Sequence, residues 1–150
     1  MNLVLGVLVG PILGYFLGKY VTVYYRKKDR ISRLSHSLYG LQIYIKKIGI
    51  RLDNLLSAVN SPGQPNLASS LEKLHDLLLD EPYGVFLDLG GDDLEPFAKK
   101  ARIQACMIIA EIEDSIIYTN SVPTIQQIIL WKRDIFHARA ELLKSRNMLN

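Results

Sequence analysis

The residues best able to do chemistry in this chain are two acid-x-x-histidine pairs, Glu72-x-x-His75 and Asp134-x-x-His137, with Glu111 or Glu113 between them in sequence. A three-residue spacing puts both members of a pair on one helical face, and acids and histidines projecting from facing helices are the ligand logic of a di-metal bundle. That chemistry requires every ligand to point inward. Around His75 the inward face is leucine (Leu67, Leu71, Leu74 and Leu78), with the histidine at its edge, and Asp134 is short for the place of a second glutamate. The expectation is boundary histidines and no metal site. A nucleophile is equally hard to find. Cys106 sits among Ala105, Met107, Ile108 and Ile109, surroundings that raise a thiol pKa, and no Gly-x-Ser-x-Gly, P-loop or Gly-x-Gly-x-x-Gly occurs. The chain reads as a non-enzyme with no cofactor.

Charge offers more. Asp76, Asp80, Glu81, Asp88, Asp92, Asp93 and Glu95 form an acidic stretch without the Asp-x-Asp-x-Asp-Gly spacing of a calcium loop, and read as a solvated loop leading to a helix cap. Basic residues cluster as Lys46, Lys47 and Arg51, as Lys99, Lys100 and Arg102, and as Lys132, Arg133 and Arg139. Such clusters commonly solvate a helix face. Lys99 and Lys100 also fall near a helix N-terminus, where backbone amides favour an anion, so a small phosphorylated ligand held between subunits is allowed. The net charge of +3 is local. Five of the 18 basic residues and one of the 15 acidic ones precede Ile31, which leaves 13 against 14 in the rest. That near-balance argues against duplex nucleic acid as a partner, because it offers no broad counterion-releasing surface.

Those groups must be positioned by helices, and the first is apolar. Residues 3–25 carry a single charge, Lys19. As a helix they extend about 34 Å, enough to cross a hydrocarbon core of about 30 Å. Tyr20, Tyr24 and Tyr25 fall at interface depth, and Arg26, Lys27, Lys28 and Arg30 follow directly. By the positive-inside rule the span is a single-pass anchor in membrane lipid, with the N-terminus outside and the C-terminal portion cytoplasmic. No basic residue precedes the apolar run and no Ala-x-Ala follows it, which disfavours a cleaved signal peptide. A lone cysteine suits the reducing side. Gly6, Gly10, Gly14 and Gly18 recur every four residues, a stripe along which a second helix can approach closely. Pro11 is expected to weaken or kink the outer third.

Beyond the basic cluster, Ile31, Leu34, Leu38, Leu41, Ile45, Ile48, Leu52, Leu55 and Val59 are spaced alternately by three and four. This is a four-heptad seam. Ser37, Tyr44, Arg51 and Ala58 flank it where a two-stranded zipper would carry charge, and Ile43 and Ile50 fall outside it, so a helix packed on several sides is expected. Asn60–Asn66 reads as a turn-rich linker. A second helix covers roughly 67–80, and Pro82-Tyr-Gly84 stops it. The short apolar segment Tyr83–Leu89 and Gly90–Asp93 lead to a third helix, with Asp93 as N-cap and Pro96 in its first turn. Phe97, Ala101, Ala105, Ile108, Ile112 and Ile116 form its face as far as about Tyr118. A fourth helix starts at Thr124, which with Gln127 makes a capping box, and runs to about Arg146 through Ile125, Ile128, Ile129, Ile135, Phe136 and Leu142.

The expected fold is therefore all-α: an anchor over 1–25, a basic juxtamembrane segment and helical stalk over 26–59, and a helical cytoplasmic domain over 60–150. The glycine stripe and the seam residues Leu34, Leu41 and Ile48 point to a homo-oligomer, a tetramer at first reading. The sequence leaves two kinds of protein open: an oligomeric membrane effector that senses a ligand and acts on the bilayer, or a membrane-tethered adaptor for a cytoplasmic protein. In its plan of anchor plus soluble helical domain, the chain resembles the small membrane-anchored ancillary effectors of type III CRISPR antiviral defence. That resemblance implies a cyclic oligoadenylate as the ligand. It is one of layout without a shared motif, so it carries no functional residue across.

Overall fold

The computed structural model of the chain describes residues 2–60, 65–80, 96–119 and 122–149, with side chains apart from those of residues 2–12, 65 and 80. Among them there are helices and no strand, as the periodicities predict. α1 is Asn2–Asn60, α2 Pro65–Asp80, α3 Pro96–Glu113 and α4 Ile125–Asn147. A five-residue π-helical turn, Asp114–Tyr118, prolongs α3. The outer glycines Gly6 and Gly10, the kink expected at Pro11, the linker 61–64, the stretch 81–95 with its acidic residues and the Asp93 cap lie outside the described residues or side chains.

The chain divides into two compact units, Met1–Leu34 and Ser35–Asn150. In the first unit the side chains from Leu13 to Arg30 are all exposed. The second unit is a four-helix bundle, and residues 35–60 of the expected stalk are its first helix. Leu38, Leu41, Ile45, Ile48, Leu52 and Leu55 have no exposed surface, so within this unit the heptad seam is filled by the chain's own helices. Each such side chain contributes on the order of 1.5–3 kcal/mol by leaving water. Leu41 and Ile48 are consequently covered within the single chain, and Leu34 is 7% exposed. A three-four seam specifies a packed stripe and leaves open whether another chain or the same one covers it.

α4 runs antiparallel to α1. Lys132 pairs with Asp53 near one end of the shared length, and Arg146 Nη1 donates to Gln42 Oε1 at 3.4 Å near the other. Midway, Ile135 lies against Gly49 at 3.5 Å from where a Cβ would stand. The Arg146 guanidinium also stacks 4.9 Å from the centre of the Tyr39 ring. α3 and α4 pack along their length, and Trp131 Nε1 donates to Glu111 Oε1 at 3.1 Å. α2 buries Leu74 and Leu78, meets the π turn, and flanks α1 across a polar cleft of about 240 Å³ lined by Asn54, Ser57, Asn66, Ser69, Ser70 and Lys73.

The local signals behave as their chemistry dictates. The Thr124 hydroxyl accepts from the Gln127 amide at 3.2 Å and the Gln127 side chain accepts from the Thr124 amide at 2.9 Å, the reciprocal box that starts α4. The end of α3 follows a rule that the sequence hides. The Thr119 amide and hydroxyl both donate to the Asp114 carbonyl, at 2.9 and 3.0 Å, which widens the last turn to a five-residue step.

The apolar residues through which α4 runs divide between two faces. Ile128, Ile135 and Leu142 are buried, together with Trp131, Ala138 and Ser145, whereas Ile125, Ile129 and Phe136 are exposed. On α1, Ile43 and Ile50 are likewise exposed. The stalk is thus covered on fewer sides than its composition suggests.

Candidate functional site

Two features distinguish the molecule from a plain helical bundle, one in each unit.

In the first unit, Leu13, Tyr15, Phe16, Leu17, Tyr20, Val21, Val23, Tyr24 and Tyr25 are all between 46% and 71% exposed. Successive residues point in every direction around a helix, so the apolar surface encircles this stretch instead of forming a stripe. Tyr15 with Phe16, and Tyr24 with Tyr25, make edge-on ring pairs at 5.9 and 5.8 Å. The Thr22 hydroxyl, the one side-chain hydroxyl of an aliphatic residue here, donates back to the Gly18 carbonyl at 2.8 Å. A β-hydroxyl so bonded presents its methyl group outward, which removes a polar group from the surface. At Gly14 and Gly18 the space where a Cβ would stand is empty. The inner half of the stripe, at Gly14 and Gly18, is open in the single chain. Among the described residues no helix is long and apolar enough to cross a membrane. The outer part of the expected span, residues 3–12, lies outside the side chains so described.

In the second unit, the basic residues singled out in the sequence do not converge. Lys132 is committed to Asp53, and Arg133 Nε donates to its neighbour Asp134 at 2.8 Å. Lys46, Lys47, Lys99 and Lys100 are exposed, and Arg51 is half-buried. Lys73, on the polar cleft between α1 and α2, went unnoticed because it stands alone in sequence. Arg102 differs from all of these. It is 5% exposed, and its Nε and Nη1 have no hydrogen-bond partner among the described residues. The signal for this lay in the spacing: Arg102 is four residues after Ala98 and seven before Ile109, both fully buried. Glu111, which faces α4 through Trp131, is nine residues on and so half a turn round the helix from Arg102. Arg102 therefore shares the buried face of α3 with Ala98, Ala105 and Ile109, on the side opposite Glu111.

One turn further along, Cys106 is a buried free thiol. Burial pushes its pKa up, and the nearby Arg102 charge lowers it in part. Desolvation also raises the carboxyl of Glu113. The acid–histidine pairs are dispersed. His75 lies 3.9 Å from its neighbour Asp76, Asp134 holds Arg133, and Glu111 accepts from Trp131. Among the described residues no three His, Cys, Asp or Glu side chains are grouped to hold a metal ion.

Comparison of the chain with protein-family models, with curated proteins and with solved structures finds no match to any of them.

Proposed function

We propose that this chain is a non-enzymatic membrane effector, anchored by the first helix, whose cytoplasmic helical bundle senses a small anionic ligand and whose glycine-striped spans associate in the bilayer. The observation that carries this reading is the helix surface from Leu13 to Tyr25, apolar on every side, exposed, and followed at once by Arg26, Lys27, Lys28 and Arg30. Such a surface in water would be a large unpartnered apolar patch, whereas in hydrocarbon it is at home. The ring of tyrosines and the basic cluster then meet the headgroups on the cytoplasmic side. Gly14 and Gly18, with empty space beside them, let a second span approach within packing distance. A phosphorylated ligand, with cyclic oligoadenylate as one candidate, supplies the anion. A reporter active only in the cytoplasm, fused after Asn150, tests the topology. Activity agrees with the proposal, and a fusion active only on the outer side overturns it.

The exposed apolar residues flanking the α1–α4 seam favour a second reading. Tyr39, Ile43 and Ile50 on α1 and Ile129, Phe136 and Leu143 on α4 are exposed on the bundle. Such a face suits an adaptor that holds a cytoplasmic protein at the membrane.

A further inference from the structure

A guanidinium carries its charge at any pH a protein meets, and removing it from water without a counter-charge is among the costliest events in a fold. Buried donors are ordinarily paired, so each exception calls for an explanation. Arg102 is such an exception. Its Nε and Nη1 are inaccessible and unbonded, and no ion pair to it is found among the described residues. The nearest candidate counter-charge on its own helix, Cys106, is held as a neutral thiol by the same burial. Lys99, three residues earlier and exposed, stands about 60° round the helix from Arg102. It adds positive potential at the surface without supplying a negative group.

We infer that Arg102 is the buried anchor of an anion site on the flank of α3, and that its ligand is a phosphate group. This deepens the sensing role proposed above and rests on it. Arginine suits the task because its Nε–H and Nη–H donors lie in one plane and grip two oxygens of an oxyanion at once. The neighbouring thiol at Cys106 is neutral and does not repel the incoming charge. Sensing follows from the same geometry. Among the described residues nothing compensates the Arg102 charge in the unliganded bundle, and the phosphate supplies a partner, so binding is coupled to the tightness of α3 in the bundle. Lys99 steers the anion inward and remains solvated itself. Lys46, Lys132 and Arg133, exposed or already paired, take no part.

The test is the thermal midpoint of the full chain in mild detergent at constant ionic strength, for wild type, Arg102→Met and Lys99→Glu. Inorganic phosphate is added in one arm and phosphatidylglycerol in the micelle in another, so that a soluble phosphate is distinguished from a lipid headgroup. Wild type is expected to rise by about 5 °C at saturating phosphate. Arg102→Met should have a higher midpoint than wild type without ligand, since a buried unpaired charge is exchanged for an apolar side chain of similar length, and should show no rise with either addition. Lys99→Glu should keep the unliganded midpoint and need more phosphate for the same rise. A rise in wild type that persists in Arg102→Met leaves ligand sensing standing and overturns the assignment to Arg102. An Arg102→Met midpoint below that of wild type overturns it as well, because the arginine would then be paired within the chain. No rise in wild type with phosphate or lipid overturns the site and the sensing role together.

Discussion

Trp131 and Glu111 stand on different helices, and the indole Nε1 donates to the carboxylate Oε1 at 3.1 Å while the ring is 97% covered. This bond fixes the register of α3 on α4, because the bulkiest side chain of the bundle has one polar atom and one place to satisfy it.

Glu111→Leu should therefore leave a donor of a nearly buried indole unsatisfied and cost about 1–2 kcal/mol of unfolding free energy, whereas Glu111→Gln keeps an acceptor and should cost well under half of that. Denaturant unfolding of the two variants with an unchanged slope checks the difference. Equal losses would mean that the bond does not set the register.

Along α1 the contrast is between neighbours. Leu41 is fully buried and Ile43 is 38% exposed. Leu41→Ala should cost about 2–5 kcal/mol and Ile43→Ala no more than about 0.5. Similar losses at both positions would indicate that another surface covers Ile43.

The capping box makes a smaller, local prediction. Thr124→Ala removes the acceptor of the Gln127 amide and should cost about 1 kcal/mol, with fraying confined to the first turn of α4 in hydrogen exchange. Exchange that stays unaltered there would show the box to be dispensable.

The pH dependence follows from Cys106. Burial holds the folded thiol above its ordinary value of 9.0, so the folded state keeps its proton longer than the unfolded one. The contribution is fully present below the ordinary value and is lost as pH rises above it, since the unfolded chain then gains by ionising. Cys106→Ala should flatten the alkaline limb of a stability–pH curve. In the native state the thiol should react with a thiol reagent only as fast as the bundle opens. Rapid alkylation at neutral pH would contradict its burial.

Much of this architecture was legible in the amino-acid order, for a physical reason. The α1 seam alternates three and four without a break, and Thr124 with Gln127 can form only one kind of helix start, so local pattern and tertiary packing agree there. Where they part, the cause is identifiable. α4 carries large apolar residues on two faces, and periodicity alone could not tell the buried Ile128–Ile135–Leu142 row from the exposed Ile129 and Phe136. The small buried Ala138 and the single Trp131, which is tied to α3 through Glu111, carry little weight in a hydrophobic count. The π turn depends on one carbonyl serving Thr119 twice, which no periodicity records. Arg102 follows two lysines at 99 and 100 and so read as part of a solvated face. Its burial appears only when it is counted from Ala98 and Ile109.

Association of the spans is the next expectation. Gly14→Leu puts a branched side chain into the space now open beside the helix, and in lipid no hydrophobic gain offsets that loss of close approach. Detergent sizing with light scattering should show a homo-oligomer for wild type, a lower or broader mass for Gly14→Leu, and little change for Leu17→Ile. A wild type that is monomeric in several mild detergents would remove the glycine stripe from the account.

The central claim is that the first helix is integral to a membrane, and extraction of cell membranes with alkaline carbonate addresses it most directly. The full chain should remain in the pellet after the wash. A Leu13→Arg, Leu17→Arg double variant, which places two charges in the apolar span at a cost of about 2.5–3.5 kcal/mol each near the centre, should appear in the wash or the soluble fraction. Wild type released into the carbonate supernatant would contradict the account.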